Sequence, residues 1–599
     1  MSLPPKRQAP PPKVVRGTVG LQVGRTRADP DELVVTRRLV GGEPPPDQGA
    51  GGRAWLDPRR LLDRVLGSDA AVLGLLLAVA AALRLPGLET RGRFGGDQGV
   101  DLLVLRSLTQ DGVIPLLGPR ASVGDFHHGA FIYYLLAPSA WLSGAEPFAV
   151  VLEMALLGIV AVAATWWMGR VIGGRTVGTI AGLLLAVSPA AVDESVFIWN
   201  PNPVPFFAAI AGGAAWKAHR SGGGRWWVVA LGATGAVAQL HNLGLTLFGP
   251  VVALLLADLW TARRTGDGSR LRSAVRGLAG GLAVVALLFL PLAISELQTG
   301  FAELRGMAAY VGGGAAPPAI DPVERLVIVA FRVIGWPFVG LVTDAPVPAT
   351  LAVAVVLALV TWHAIVGRGE PGRAARWLGG SILWSLVVLT IVAPMLANVT
   401  PGLPNDHYHA FVDPFLVVAV ALAGVTLARG GVRVVADLAD QRLAIPAAAG
   451  AVTRADVAAR VLLGLALAIG VVVALGRQPE PDPNGGWPAV RAGSARIVAI
   501  TGADGVDVRY LPVFEEPGDI RFGVVHAGGL VSFDGSSRYL VLGCDRLFES
   551  VLLATCGGQA EAEWLPRLAA AGAGAAQLVD RFDLSARVSI SVYDLSPRP

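Results

Sequence analysis

Apolar residues in this chain do not alternate with polar ones but gather into long unbroken blocks. They cover residues 70–85, 146–169, 176–192, 203–216, 349–366, 378–397, 410–428 and 459–476, with a further block ending at Ile294. Most run for about 15 to 22 residues, close to the roughly 20 that an α-helix needs to cross a bilayer. The stretch from Trp226 to Leu259 is too long for one crossing and has basic loops at both ends, so it predicts two helices that turn near His241 and Asn242. Two apolar segments are harder to place. One is 128–142, with Tyr133, Tyr134, Pro138 and Trp141. The other is 327–342, which as a crossing would put Arg368, Arg373 and Arg376 on the outer side and is therefore read as juxtamembrane or re-entrant. The pattern predicts a polytopic α-helical membrane protein of about 11 transmembrane helices, or 13 if both segments cross.

The basic residues orient these helices. Arg53, Arg59, Arg60 and Arg64 precede the first block, Arg170 and Arg175 follow the second, and Arg263, Arg264, Arg270, Arg272 and Arg276 form a later cluster. Short cytoplasmic loops carry such an excess. The N-terminus is therefore predicted inside, and the odd number of crossings puts the C-terminus outside. Residues 1–66, rich in Pro, Gly and Arg and without an early apolar core, predict a disordered cytoplasmic arm rather than a secretory signal. Residues 67–478 form the membrane region. Beyond a Pro-rich linker at 479–483 the blocks give way to short apolar runs, Arg496 to Thr501, Tyr539 to Gly543 and Val588 to Tyr593, and a helix-like stretch from Ala560 to Ala571. Residues 479–599 thus predict an extracytoplasmic soluble domain of α/β or α+β type.

Composition strengthens this reading. Hydrophobic residues make up 53% and charged residues 16%, with a mean hydropathy of +0.56, which excludes an ordinary soluble multidomain chain. The net charge of +4 is spread over loops, and no nucleic-acid-binding patch is expected. Lys6, Lys13 and Lys217 are the only lysines, a bias that fits a high-GC bacterial genome and the bacterial cytoplasmic membrane. The two cysteines, Cys544 and Cys556, lie in the outer stretch; a disulfide and two free thiols both fit their spacing.

Unusual polar residues collect on the predicted outer rim. The first outer loop holds Arg93, Asp97, Asp101 and Arg106, then His127 and His128; Asp97 and Asp101, four apart, would share one face of a helix. The second loop brings Trp199-Asn200-Pro201-Asn202-Pro203, the third His241 and Asn242, and a later one Asp406-His407-Tyr408-His409. Carboxylates beside a bilayer are costly unless they serve a pathway or a site. Acids, amides, imidazoles and guanidinium groups on one rim suit a polar, anionic substrate at the interface. Taken singly, Asp97 could cap a short helix, His127 and His128 could be interfacial side chains, and Pro203 could simply begin the next helix. His407 and His409 lack a defined third metal ligand.

In order, these motifs resemble the GT-C superfamily of integral membrane glycosyltransferases, specifically bacterial relatives of protein O-mannosyltransferases and aminoarabinose transferases. The resemblance spans about residues 68–476. It rests on Asp97 in Arg93-Phe94-Gly95-Gly96-Asp97-Gln98-Gly99, the segment His127-His128-Gly129-Ala130-Phe131-Ile132-Tyr133-Tyr134, the Trp199–Pro203 turn and the late His407-bearing loop. Two features depart from the family pattern. Gln98 stands where many members have Glu, and His127-His128-Gly129-Ala130 replaces a basic residue and a Pro-Pro pair. The resemblance implies transfer of a sugar, with inversion, from a polyprenyl-phosphate donor to a protein, lipid or glycan acceptor outside the membrane. It implies Asp97 as general base, with Asp101 supporting it. Arg93, Arg106, His127, His128, Asn200, Asn202, His241, His407 and His409 become candidates for the donor phosphate or the acceptor. Some relatives use a divalent metal cation, though no residue here requires one. A transporter or flippase of lipid-linked sugars and a non-catalytic envelope scaffold are the competing classes. Carboxylates near mid-bilayer and broken helices in matched halves would favour transport, and neither is evident in the sequence.

Overall fold

The computed structural model describes residues 20–26, 29–38, 68–311, 320–397, 408–443, 481–532, 537–568 and 576–595. The predicted span at 459–476 and the loop containing His407 lie outside the described residues. The chain divides into two compact units, Met1–Ser68 and Asp69–Pro599. In the first, β1 (Gly20–Thr26) and β2 (Asp29–Arg38) pair antiparallel, where the sequence pattern predicted no element.

The second unit begins with α1 (Asp69–Arg84), whose first-turn Asp69 pairs with Arg170 at 2.6 Å and with Arg175 at 3.2 Å. Next come α2 (Gly96–Arg106), a hairpin of β3 (Leu117–Arg120) and β4 (His127–Gly129), and α3 (Phe131–Ser143). With 13 residues, α3 is about 20 Å long and falls short of a crossing. It packs instead against α2 and α4 (Pro147–Gly173). There follow α5 (Arg175–Val187), α6 (Val204–Ser221) and α7 (Gly224–Leu240). Alanine and glycine dominate the buried faces of α6 and α7, Ala208 to Ala215 above all, so these helices approach closely. Fully buried Arg84 donates to the carbonyls of Leu185 and Ala186 at the end of α5, satisfying groups that the helix itself leaves open.

The predicted break at His241 is present. His241 is extended (φ −150°, ψ 130°), a 3₁₀ turn covers Asn242–Leu247, and α8 (Phe248–Arg264) runs back. Beyond it lie α9 (Gly268–Leu288), α10 (Leu290–Thr299), α11 (Ala302–Ala309), α12 (Pro322–Val339), α13 (Pro346–Val366), α14 (Gly369–Val392) and α15 (Asp413–Leu443). The 327–342 segment belongs to α12, which buries Arg332 and Trp336 and packs against α13 and α14. Among the described residues, six helices are long and apolar enough to cross a membrane by length and composition, two of them counted through the adjoining 3₁₀ turn. Leu287, Ile365 and Ile391 stand 68, 76 and 69% exposed on α9, α13 and α14, as suits a surface solvated by lipid.

The C-terminal region is an α/β domain of α16 (Gly486–Thr501), β5 (Val506–Leu511), α17 (Gly518–His526), β6 (Val531–Ser532), β7 (Tyr539–Asp545), α18 (Gln559–Leu568), β8 (Gln577–Asp583) and β9 (Val588–Asp594). Its sheet has the order β6-β5-β7-β9-β8, parallel among the first three and antiparallel from β7 to β9 to β8. The apolar run at Arg496 to Thr501 is helix. Val490, Gly493, Ser494, Ile497 and Thr501 are buried at spacings of three and four, a period that becomes visible only when read from Trp487 onwards. Cys544 and Cys556 are joined in a disulfide.

Candidate active site

One end of the helical bundle and the α/β domain meet over α2. Gln98 fixes the start of that helix: its side-chain oxygen accepts from the Gly95 amide at 2.9 Å, and its nitrogen donates to the Ile198 carbonyl at 3.0 Å. A carboxylate could only accept, so the Gln that departs from the family pattern serves this double bond. From the α/β side, Asp482 accepts from the Phe94 amide at 3.0 Å, and Trp487 packs 5.0 Å from Phe94. Gly99 touches the backbone of Gly518 directly.

Asp97 lies exposed in the first turn of α2, where the helix dipole favours negative charge. One turn on, Asp101 is buried, and its Oδ1 accepts from the Tyr133 hydroxyl at 2.8 Å. Burial pushes the Asp101 carboxyl up to about 8, opposed by the Tyr133 bond and aided by the nearby charge of Asp97. Asp101 therefore keeps its proton at pH 7. Glu515, from the loop before α17, is also pushed up, to about 7, by burial and by carboxylates that include Asp545 and Asp97.

Beside this acidic turn, aromatic and imidazole rings from four chain segments form a continuous ladder. The Arg93 guanidinium lies 5.1 Å over Phe197, Phe197 stacks on Trp199 at 5.9 Å, and Trp199 meets Tyr408 at 5.4 Å. Tyr408 stacks on His241 at 4.6 Å and His241 on His128 at 4.4 Å. His128 and His241 are buried. Burial drives His128 down to about 4, and burial with the neighbouring ring drives His241 well below the usual imidazole range. Each Nδ1 accepts from a backbone amide, Asn242 for His128 at 3.3 Å and Leu243 for His241 at 3.2 Å. An amide N–H can only donate, so each ring keeps its proton on Nε2. Both histidines, candidates for the donor phosphate from the sequence, are neutral rings with one N–H donor each. Buried Gln239 lies against Gly129, and neither of its amide atoms has a hydrogen-bond partner among the described residues.

The other candidates take different places. His127 is half-buried, with Nδ1 3.1 Å from Glu303 of α11. Asn200 and Asn202 brace the turn from within, donating to the carbonyls of Leu240 at 2.6 Å and Phe197 at 2.9 Å. His409 is fully buried, edge-on to Trp336 at 5.6 Å. Arg106 sits in the last turn of α2, about 14 Å of helix rise beyond Asp97. Among the described residues no group of three His, Cys, Asp or Glu side chains is arranged to hold a metal ion. Sequence reading passed over Phe197, Glu303, the Tyr133–Asp101 bond and buried Arg332. The alternation of Phe197 with Trp199 just before Asn200 was a usable signal for the first.

A family profile described as dolichyl-phosphate-mannose-protein mannosyltransferase matches residues 127–294. No curated protein matches the chain. Among solved structures, ArnT from Cupriavidus metallidurans bound to undecaprenyl phosphate is similar at 16% identity and a TM-score of 0.51, covering 88% of this chain and 98% of that one. ArnT in the apo state gives 16% identity and a TM-score of 0.50, covering 86% and 97%. The oligosaccharyltransferase of Archaeoglobus fulgidus gives 13% identity and a TM-score of 0.47, covering 80% and 69%. Across nearly the whole of both chains, this protein has the fold of ArnT.

Proposed function

We propose that this chain is a membrane glycosyltransferase that moves a sugar from a polyprenyl-phosphate donor to an acceptor on the extracytoplasmic side of a bacterial plasma membrane. The N-terminus would be cytoplasmic and the α/β domain extracytoplasmic, following the arginine distribution. The observation that carries the reading is the convergence of Arg93, Trp199, Tyr408, His241 and His128 in one ladder beside exposed Asp97. ArnT binds undecaprenyl phosphate on this fold, and the family profile is named for a dolichyl-phosphate sugar donor.

In this mechanism the acceptor hydroxyl attacks the anomeric carbon from the face opposite the phosphate. The bond from that carbon to the phosphate oxygen breaks, polyprenyl phosphate leaves, and the anomeric configuration inverts. Asp97 takes the hydroxyl proton as general base. Arg93, whose guanidinium lies over the Phe197 face, offsets charge on the departing phosphate, and the Nε2–H groups of His128 and His241 offer neutral donors. The test is incubation of the purified full-length protein in vesicles with a panel of labelled polyprenyl-phosphate sugars and membrane acceptors. Free polyprenyl phosphate should appear together with labelled acceptor. Donors crossing the vesicle intact, without release of polyprenyl phosphate, would instead mark a transporter.

A further inference from the structure

At the rim opposite the ladder, α7 and α9 enclose a groove of about 480 Å³ lined by Arg225, Arg272 and Arg276, with Ser273 at its floor and Val228 at its edge. One helix of rise separates it from His241, about 25 Å. We infer that this groove binds the phosphate headgroup of an anionic phospholipid.

The crossing that forms it is rigid. The Gly224 amide donates to Ser273 Oγ at 2.8 Å, and that hydroxyl donates to the Gly222 carbonyl at 2.8 Å. A Cβ on Gly277 would lie 2.4 Å from the Gly224 carbonyl oxygen, so only glycine lets the helices meet this closely. Beneath, buried Asp258 is bonded by Trp227 Nε1 at 3.3 Å and by Arg270 Nε at 2.8 Å. Ser273, Arg276 and Arg272 recur at three- and four-residue spacing, so α9 turns one polar face towards Arg225.

No carboxylate lines the groove. Those nearby are engaged: Asp258 with Arg270, Asp267 in capping α9, and Glu370 with Arg220. Arg225, Arg272 and Arg276 line the groove with no acid among them, so their like charges favour an anion there. On the orientation proposed above, on which this inference rests, this rim lies at the inner membrane boundary, where basic pockets between helices take anionic headgroups. Val228 gives the groove an apolar shoulder suited to an acyl chain. A free phosphate ion would have no use for that shoulder.

The test is native mass spectrometry of the full-length protein with phosphatidylglycerol or phosphatidylcholine, comparing wild type, an Arg225→Gln/Arg272→Gln/Arg276→Gln triple variant and an Arg263→Gln/Arg264→Gln control. Phosphatidylglycerol should survive on wild type and the control, bind at least about tenfold more weakly to the triple variant, and resist competition by inorganic phosphate. Equal retention by the triple variant, equal loss in the control, or displacement by inorganic phosphate would each overturn the assignment. Matching thermal unfolding of the triple variant and wild type in phosphatidylcholine shows that the variant is folded. If the triple variant unfolds, the single Arg272→Gln variant replaces it with the same readout.

Discussion

Replacing Gly99 by alanine should part α2 from the α/β domain and slow the reaction, although alanine is the better helix former. In an isolated helix the exchange would stabilise by about 1 kcal/mol. Here the added Cβ would sit 2.1 Å from the carbonyl carbon and oxygen of Gly518 and 2.3 Å from the Asp519 nitrogen. All three are backbone atoms, with no flexible side chain to yield. Raising the closest approach from 2.1 Å to the 3.4 Å of ordinary contact moves the two backbones apart by about 1.3 Å. Overpacking of this kind costs about 1–3 kcal/mol, which offsets or exceeds the helical gain. Because Asp97 stands half a turn from Gly99 and beside Glu515, a shift of this size should cost about 100-fold in transfer rate. Sugar transfer and thermal unfolding would be measured together, with Gly74→Ala as control, since a Cβ there meets nothing within 4 Å. A Gly99→Ala protein with full activity and raised stability would refute the close-contact argument.

Further outcomes follow from the same geometry. Asp101, Glu515 and Asp519 are carboxyls raised by burial to about 8, 7 and 7, so the folded state holds protons that the unfolded state releases near pH 4. Their stabilisation is complete below pH 4 and is lost as pH rises through those folded values. Asp101→Asn should flatten the part of the unfolding-temperature profile that falls towards pH 8, while keeping an acceptor for Tyr133. Trp199→Ala removes the centre of the ladder and should raise the KM for the donor about tenfold or more with protein yield unchanged; an unaltered KM would separate the ladder from donor binding. Replacing Cys544 and Cys556 together by serine opens a 12-residue loop and should destabilise the α/β domain by about 3 kcal/mol in the chain-entropy account, as read by domain-specific proteolysis.

Parts of this architecture were legible because they rest on local patterns. The block lengths foretold the membrane helices, and the basic loops flanking 226–259 foretold the break at His241. The short apolar runs at Tyr539 to Gly543 and Val588 to Tyr593 fall in β7 and β9. The chemistry of the rim was legible as a set of residue types on one side but not as an arrangement. Nothing in the residue string shows that Tyr408 bridges Trp199 to His241. Nor does it show that Asp101 turns inward to Tyr133 while Asp97, one turn away, stays exposed. Charge states followed burial rather than residue type, which is why His128 and His241 are neutral donors rather than cations. Arg496 to Thr501 was legible only as a short apolar run, since a six-residue window cannot tell a strand from the last turns of a helix.

The central claim is tested most directly by following a labelled polyprenyl-phosphate sugar with wild type and Asp97→Asn while measuring donor binding in the same preparations. The account predicts equal donor binding and a loss of transfer of at least 100-fold in the variant, the size expected when a general base is removed. Transfer by Asp97→Asn at the wild-type rate would contradict it.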